Sequence, residues 1–286
     1  MTKNTSRVSW QGGVAVITGA ASGIGEALAR EAAVQMGMKL VLADIDETGL
    51  ERVAADLTGR GCEVLAVMTD VADAASMTRL AEKTLEHFGS VRLLVNNAGI
   101  ETLGFSWEIP PAQWQKILGV NIHGVVNGVS AFAPAMIASG EPCVIANMSS
   151  IAGISIAPIQ ASYVMSKHAV LAFSECLHLE MQMKSTDVQI SAVLPGPVKT
   201  QIFESVGELP DPIAAEHRQQ MISLLDSNGI TAEAAAQTIF HQLSAGNFWV
   251  STHPEMTQMM AEQRARYLSS LDTPSLDVES AFSTDA

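Results

Sequence analysis

The chain has 286 residues, of which 48% are hydrophobic and 16% charged, so it can bury a large core and fold without disulfide bonds. Thirty Asp and Glu residues against sixteen Lys and Arg residues give a formal net charge of −14, which argues against nucleic acid or an anionic membrane as a partner. Cys62, Cys143 and Cys176 lie far apart, form no CxxC pair and have no metal-ligand spacing, so we expect no metal site and reduced, mostly buried thiols in a cytoplasmic protein.

Neither the N-terminus nor the longest uncharged stretches predict a membrane protein. The first thirteen residues are polar and lack a secretory-type apolar segment, so we expect no export signal. Residues 117–140 and 142–166 carry no charge and are long enough to span a membrane. Both contain Asn, Ser, Gly and Pro in numbers that a lipid-spanning helix rarely tolerates. We interpret them as segments buried within the protein or facing another subunit.

Apolar runs typical of strands buried on both faces alternate with segments of helical periodicity. In chain order the pattern predicts strand 14–18, helix 24–36, strand 39–44, helix 47–57, strand 63–67, helix 74–88, strand 91–95, a long helix within 111–137, strand 143–148, helix 163–183, strand 188–194, helix 231–243, strand 248–251 and helix 255–268. Strands joined by helical crossovers are parallel. The predicted fold class is therefore α/β, a Rossmann-like, doubly wound, seven-stranded parallel sheet with helices on both faces.

Residues 201–229 interrupt this alternation with Pro210, Pro212 and apolar side chains such as Phe203 and Leu225. An irregular segment of this length inside a compact domain is typical of a lid or binding loop, although a plain surface excursion is the alternative. The small, polar and acidic residues 273–286 predict a disordered tail. We therefore predict one domain over residues 1–272, with a substrate lid at about 200–229.

Glycines 19, 23 and 25 stand where the first strand gives way to a helix, so the backbone there can approach a pyrophosphate. Asp44 ends the second strand, where an acid can accept hydrogen bonds from ribose hydroxyls, while Asp46 is better placed to cap the next helix. Asp70 and the Asn-Asn-Ala-Gly run at 96–99 also follow strands. Ligands of open α/β sheets bind along that edge. The first part of the chain therefore predicts a dinucleotide-binding domain.

Six motifs follow one another along the chain: Thr18 to Gly25 (TGAASGIG), Asn96 to Gly99 (NNAG), Asn121, Ser150, Tyr163 to Lys167 (YVMSK), and Pro195-Gly196 with Thr200. In order and spacing, over about residues 10–252, they resemble the short-chain dehydrogenase/reductase family. A Tyr-x-x-x-Lys pair alone is common by chance. Its register with the other five motifs makes the resemblance specific.

Tyr163 and Lys167 are four residues apart on a predicted helix and therefore share one face. A phenol has a pKa of about 10, and a neighbouring ammonium favours the phenolate, so we expect the pKa of Tyr163 to be lowered. Tyr163 can then accept the proton of an alcohol while a nicotinamide takes the hydride. This chemistry predicts an oxidoreductase acting on secondary alcohols or ketones.

The resemblance implies roles for the remaining polar residues. Lys167 would also bind the nicotinamide ribose, Ser150 would hold the substrate oxygen, and Asn121 would position a water that relays protons to Lys167. The family spacing selects Ser150 over Ser149, and Asn127 competes with Asn121. The predicted cofactor-binding residues are Gly19, Ser22, Gly23, Ile24, Gly25, Asp44, Asp70, Val71, Asn97, Ala98, Gly99, Tyr163, Lys167, Pro195, Gly196, Val198 and Thr200.

We predict NAD as the cofactor because Asp44 would repel a 2′-phosphate and positions 20–22 and 45–46 carry no Lys or Arg. The alternatives are an NADP-linked carbonyl or ketoacyl reductase, and a catalytically silent nucleotide-sensing protein on the same fold. The predicted substrate is a small hydrophobic alcohol or ketone. Its pocket is expected to be lined by apolar residues of 201–225 and by Ile154, Ile156, Ile159 and Gln160.

Self-association is expected from the apolar surface that one sheet cannot cover. The uncharged residues 117–140 and the helix beginning at Tyr163 offer more apolar face than a single sheet surface needs. The family resemblance implies dimers or tetramers. We therefore predict a homo-oligomer.

Overall fold

The computed structural model describes residues 12–276. Seven parallel strands form one sheet in the order β3-β2-β1-β4-β5-β6-β7. The strands are β1 (Val14–Thr18), β2 (Lys39–Asp44), β3 (Val64–Met68), β4 (Leu93–Asn96), β5 (Cys143–Met148), β6 (Val188–Leu194) and β7 (Trp249–Ser251). The predicted doubly wound α/β fold is confirmed, and the strand order reverses between β1 and β4, where such sheets open a crevice for ligands.

Within residues 12–276, all helices but one lie close to their predicted positions. The helices are α1 (Gly23–Arg30), α2 (Glu47–Gly59), α3 (Ala74–Phe88), α4 (Pro111–Leu118), α5 (Gly124–Ala138), α6 (Ala161–Met183), α7 (Pro212–Asn228), α8 (Ala232–Ser244) and α9 (Pro254–Ser270). A π-helical turn, Glu31–Gln35, extends α1, and a second, Gly119–His123, joins α4 to α5. A short 3-10 turn, Ile151–Gly153, follows β5.

Two apolar cores cover the two faces of the sheet. On one face, side chains of α1, α2 and α8, including Leu28, Leu50 and Phe240, pack on β1 and β2. On the other, side chains of α3, α5 and α6, including Phe132 and Leu177, pack beneath β4 and β5. With both faces covered, the central strands are buried almost throughout. This accounts for their continuous apolar runs.

A third and smaller group of apolar side chains lies outside both sheet faces, and we call it the lid cluster. It joins the segment after β6 to two loops near the carboxyl ends of the strands. Its buried members are Leu103, Ile159, Phe203, Val206, Ala214 and Leu225. The predicted lid therefore has an apolar foundation of its own.

The prediction of an irregular segment over residues 201–229 is wrong in its second half, where α7 forms. Asp211 caps this helix by accepting hydrogen bonds from the backbone N–H groups of Ile213 and Ala214. Pro212 occupies the first helical position, where no N–H is needed, so it starts the helix instead of breaking it. Of the predicted disordered tail, residues 277–286 lie outside the described residues.

The structure shows where the long uncharged helix and the three cysteines lie. By length and composition alone, the helix Pro111–Ala138 could cross a membrane, and 44% of its most apolar window is buried inside the protein. Its buried side chains include Phe132 and Met136, whose packing under the sheet accounts for part of its composition. The expectation of mostly buried thiols is wrong: Cys143 is buried, Cys62 is partly exposed, and Cys176 is exposed on the outer face of α6.

Candidate active site

A cavity of about 750 Å³ opens at the carboxyl ends of the central strands. Its wall includes the turn after β1, Asp44 at the end of β2, the loop after β4, the loop after β5, the segment after β6 and one side of α7. Every predicted cofactor-binding residue lies on this wall, and so do Ser150, Tyr163 and Lys167. Asn121 is the one predicted site residue behind it. The sheet edge therefore assembles one site from segments far apart in sequence.

The turn after β1 is shaped by its glycines. Gly19 and Gly23 have φ values of +66° and +55°, a region that side chains rarely enter. A Cβ on Gly25 would collide with the carbonyl oxygen of Gly19, so the turn closes only with glycine there. The first intrahelical bond of α1 is donated by Glu26 to Ser22, so the N–H groups before it are left for an anion. This backbone fits a pyrophosphate.

Asp44 fixes the shape of that turn from the neighbouring strand. One carboxylate oxygen accepts from the backbone N–H of Ala21 at 2.9 Å, and the other accepts from that of Asp46 at 3.0 Å. Asp46 caps α2 by accepting from Gly49, as predicted. Asp44 is therefore less free than the sequence indicated. Each oxygen nonetheless keeps acceptor capacity for a ribose hydroxyl.

The structure also brings a cation to this region that the sequence analysis did not consider. Arg52, on α2, donates to the carbonyl oxygen of Ala21 at 2.9 Å. Its guanidinium is also paired with the carboxylate of Glu26 at 2.6 Å. The guanidinium is therefore already engaged beside the turn, where Glu26 also pairs with Arg30.

The loop after β4 is fastened to the end of β1. Thr18 accepts hydrogen bonds at its hydroxyl from the backbone N–H groups of Asn97 and Ala98. The side-chain amide of Asn97 donates to the carbonyl oxygens of Thr18 and Gly19. These bonds hold the two loops together across the point where the strand order reverses. The predicted cofactor residues of both loops are thus held on one rigid frame.

Tyr163 and Lys167 lie on the first two turns of α6 and face the cavity. The Lys167 Nζ lies 5.4 Å from the centroid of the Tyr163 ring. It donates a 2.8 Å hydrogen bond to the carbonyl oxygen of Met148 at the end of β5. A Cβ on Gly99 would lie only 3.4 Å from this Nζ, so the glycine leaves room for the buried ammonium. The predicted pair is brought together as its spacing required.

The two serines after β5 are used differently. Ser149 is buried, and its hydroxyl donates to the backbone carbonyl of Lys167 at 2.8 Å, which anchors α6. Ser150 caps the 3-10 turn by accepting from Ala152 at 3.1 Å, and its hydroxyl also reaches Tyr163. This arrangement supports the choice of Ser150 as the residue beside the reacting oxygen.

Asn121 lies in the π-helical turn between α4 and α5, fully buried. Its side chain accepts from the N–H of Ile100 at 2.9 Å and donates to the carbonyl of Ile100 at 3.0 Å and to Ser166 at 3.0 Å. The competing Asn127 bonds to the carbonyl of Val71 instead. Asn121 therefore ties the loop after β4 to the helix that carries Tyr163.

The expected lowering of the Tyr163 pKa is not what the structure gives. Burial raises the pKa of Tyr163 above its ordinary value, the carboxyl of Glu101 raises it further, and a hydrogen bond with Ser150 opposes the rise. Burial also lowers the pKa of Lys167 to about 8, against the influence of Glu101. The spacing located the ammonium correctly, but desolvation, which a sequence does not show, dominates.

Glu101 is a cavity residue that was not predicted from the sequence. This residue lines the cavity with only 5% of its surface exposed, and burial raises its pKa to about 8. The one sequence feature that marks it is its position in the loop after β4, two residues beyond Gly99. An acid there is a candidate for the site for the same reason as Asp44 and Asp70.

Only some of the residues predicted for the substrate pocket line the cavity. Gln160 lines the cavity, together with apolar residues of the lid segment: Ile202, Phe203, Met221, Leu224 and Leu225. Ile154, Ile156 and Ile159 do not line it, because Ile156 is half exposed to solvent and Ile159 packs into the lid cluster. Residues nearer Ser150, such as Ile151 and Ala152, take their place. The backbone forms several turns between Ile151 and Gln160, so the residues that face the cavity are not the ones expected.

Comparison with known proteins gives a consistent result. A family profile described as short chain dehydrogenase matches residues 13–210. The CLA biosynthesis dehydrogenase/reductase of Lactiplantibacillus plantarum is 33% identical over 264 residues, covering 88% of this chain and 92% of the relative.

Solved structures point the same way. A short-chain dehydrogenase/reductase from Burkholderia phymatum, solved in complex with NAD, is 35% identical with a TM-score of 0.90, covering 95% and 99% of the two chains. An alcohol dehydrogenase from Thermococcus sibiricus, complexed with 5-hydroxy-NADP, is 30% identical with a TM-score of 0.64, covering 77% and 95%.

Proposed function

The chain belongs to the short-chain dehydrogenase family, and from this premise we propose that it transfers a hydride between NAD and a hydrophobic secondary alcohol or ketone. The observation that carries the proposal is one shared cavity. The glycine turn and Asp44 lie on its wall together with Ser150, Tyr163 and Lys167. A dinucleotide held at the first group of residues would extend toward the second.

When bound, the nicotinamide supplies or accepts the hydride. The chain's own residues handle the proton. Ser150 and the Tyr163 hydroxyl bracket the substrate oxygen from the cavity wall. Burial favours the neutral phenol, so Tyr163 is suited to donate a proton to a ketone oxygen in the reductive direction. In alcohol oxidation it takes that proton back, and Lys167, whose pKa lies near 8, is the adjacent group able to exchange it at working pH.

The preference for NAD rests on the charge at the end of β2. The Asp44 carboxylate faces the cavity, and the guanidinium of Arg52, which bonds the carbonyl of Ala21, is paired with Glu26. A 2′-phosphate placed beside Asp44 would meet like charge. The alternative is an NADP-linked carbonyl or ketoacyl reductase, for which the Thermococcus sibiricus neighbour and its NADP derivative provide the support.

A homo-oligomer is part of the proposal. The outer surfaces of α5 and α6 expose apolar side chains: Val126 and Ile137 on α5, and Met165, Leu179 and Met183 on α6. Apolar surface of this kind is commonly covered by a second copy of the chain. A dimer or tetramer built on these helices would account for the uncharged sequence of residues 117–140.

A screen of secondary alcohols with NAD, and of ketones with NADH, followed by reduced-nicotinamide absorbance, tests the activity. Tyr163→Phe removes the transferable proton, so we expect at least a roughly 100-fold loss of turnover with nearly unchanged NAD binding. The matched control is Tyr267→Phe on α9, the second tyrosine of the chain, which should keep the wild-type rate. A Tyr163→Phe variant that keeps more than about a tenth of the rate would contradict the assignment.

A further inference from the structure

Glu101 carries a buried carboxyl that has no role in the proposed hydride transfer. It follows the loop that fastens β4 to β1, and it faces the cavity on the side of Tyr163 and Lys167. Only 5% of its surface is exposed. Burying a carboxyl costs free energy unless it is well paired. A carboxyl buried in this position is therefore expected to have a hydrogen-bonding partner.

The protein gives Glu101 little compensation. One carboxyl oxygen accepts from the backbone N–H of Thr102 at 2.9 Å, and the other lies 3.4 Å from the Nε2 of Gln160. Across residues 12–276, no Lys, Arg or His forms an ion pair with it. Tyr163 and Lys167, both on α6, are the titratable groups that act on it from a longer range.

Gln160 is the second polar side chain of this part of the wall, with 6% of its surface exposed. It lies immediately before α6 and three residues before Tyr163, which is about one helical turn, or roughly 5 Å along the helix axis. The 3.4 Å contact with Glu101 is the one side-chain hydrogen bond it makes among the described residues. Its carbonyl oxygen therefore retains full acceptor capacity.

The chemistry of this pair fits a neutral oxygen-bearing ligand. Because the pKa of Glu101 is raised to about 8, the carboxyl is mostly protonated at neutral pH and presents one O–H donor and one carbonyl acceptor. The Gln160 amide adds a donor and an acceptor. The lid wall opposite is apolar, with Phe203, Met221 and Leu224. A substrate with a second polar group can use the donor and acceptor capacity that this pair retains.

We propose that Glu101 and Gln160 form a polar subsite that hydrogen-bonds a second oxygen function of the substrate, a hydroxyl or carbonyl group carried close to the reacting carbon. The inference rests on the proposed function and narrows its substrate class from plain hydrophobic alcohols to vicinal diols and hydroxyketones. Glu101 is then a specificity-determining residue that contacts the substrate, while Tyr163 and Lys167 carry out the proton transfer.

The test compares trans-cyclohexane-1,2-diol with cyclohexanol, which has the same ring and one hydroxyl fewer, at neutral pH. One additional hydrogen bond is worth about 0.5–1.5 kcal/mol net, so the wild type should prefer the diol roughly 2- to 13-fold in kcat/KM. Glu101→Leu should reduce this ratio to about one. The ratio is taken within each variant, so a change in overall rate caused by the loss of Glu101 near Tyr163 and Lys167 does not affect it. Glu101→Gln keeps a donor and an acceptor in the same shape and should retain the preference.

The matched control is Glu108→Leu, the same substitution in the same loop at a side chain exposed to solvent and outside the cavity wall. It should behave as wild type. Calorimetric binding of both compounds to the enzyme–NAD complex gives a readout that does not depend on turnover. Glu101→Leu with an unchanged diol ratio, or a wild type that does not bind the diol, would overturn the subsite. Preferential diol binding without hydride transfer would instead overturn the proposed oxidoreductase activity and leave the subsite standing.

Discussion

The choice between NAD and NADP is the property that one side chain should control most directly. Asp44 accepts one backbone hydrogen bond at each carboxylate oxygen and keeps a free lone pair on each for a ribose hydroxyl. A hydrogen bond to a charged group is worth about 1.5–3 kcal/mol, so one such contact corresponds to roughly 10- to 150-fold in kcat/KM. Like-charge repulsion of a 2′-phosphate adds to the discrimination. We therefore expect NAD to be preferred about 100-fold or more.

Asp44→Ala should remove most of this discrimination. The variant also loses the acceptor for the Ala21 N–H, but the resulting loosening of the turn affects both cofactors equally and cancels in their ratio. Initial rates with NAD and with NADP at a fixed alcohol concentration should show NAD use falling and the ratio approaching one.

The control is Asp46→Ala, which removes a neighbouring carboxylate that caps α2. It should cost about 1 kcal/mol of stability and leave the cofactor ratio unmoved. Ile45→Arg, at a side chain 67% exposed on the cavity wall, should begin to favour NADP. Equal use of both cofactors by the wild type, or an Asp44→Ala variant with an unchanged ratio, would refute the ribose assignment.

Three further predictions concern other parts of the molecule. Lys167→Ala should weaken both turnover and NAD affinity, measured by steady-state rates and by cofactor titration; loss of rate alone would argue against a ribose contact. Glu101→Gln should change how the free energy of unfolding depends on pH. The pKa of Glu101 is about 8 in the folded chain and near 4.5 in the unfolded chain. Between these pH values the folded chain retains a proton that the unfolded chain releases. Wild-type stability therefore falls as pH rises between these values, by at most about 1.4 kcal/mol per pH unit for one proton, while the variant lacks this loss. The lowered pKa of Lys167 makes stability rise with pH, but only above about pH 8, so urea unfolding at pH values of about 5 and 7 isolates the contribution of Glu101. If wild type and variant showed the same change in stability between these pH values, Glu101 would not be buried as a neutral acid. Light scattering at micromolar concentration should show a dimer or tetramer, and a monomer would leave the apolar faces of α5 and α6 without an explanation.

The order of the secondary structure could be predicted because the periodicity changes cleanly between strands and helices. The catalytic pair could also be predicted, since a four-residue spacing on one helix fixes its geometry before any tertiary structure is known. The helix α7 could not, because Pro212 has the same sequence signature whether it breaks a helix or begins one. Here the Asp211 cap decides in favour of a beginning.

The electrostatics of the site depended on burial, which the sequence does not reveal. Lys167 was expected to lower the pKa of Tyr163, but both side chains lie in desolvated surroundings that disfavour their charged forms. Glu101 escaped notice for a related reason. An isolated acid in an apolar segment gives no periodic signal and is marked only by its position after a strand, whereas its contact with the Gln160 side chain appears only in the structure.

The lid cluster has a consequence for how this protein can change over evolutionary time. Its side chains, among them Phe203 and Leu225, belong to neither of the two cores that support the sheet and the glycine turn. Substitutions in α7 can therefore reshape the space around the substrate without disturbing the packing that holds the dinucleotide. Leu103 and Ile159 limit this freedom, because each belongs to the same cluster and stands within two residues of Glu101 or Gln160. New specificities should arise by repacking α7 against these two residues while the frame around Thr18 and Asn97 stays unchanged.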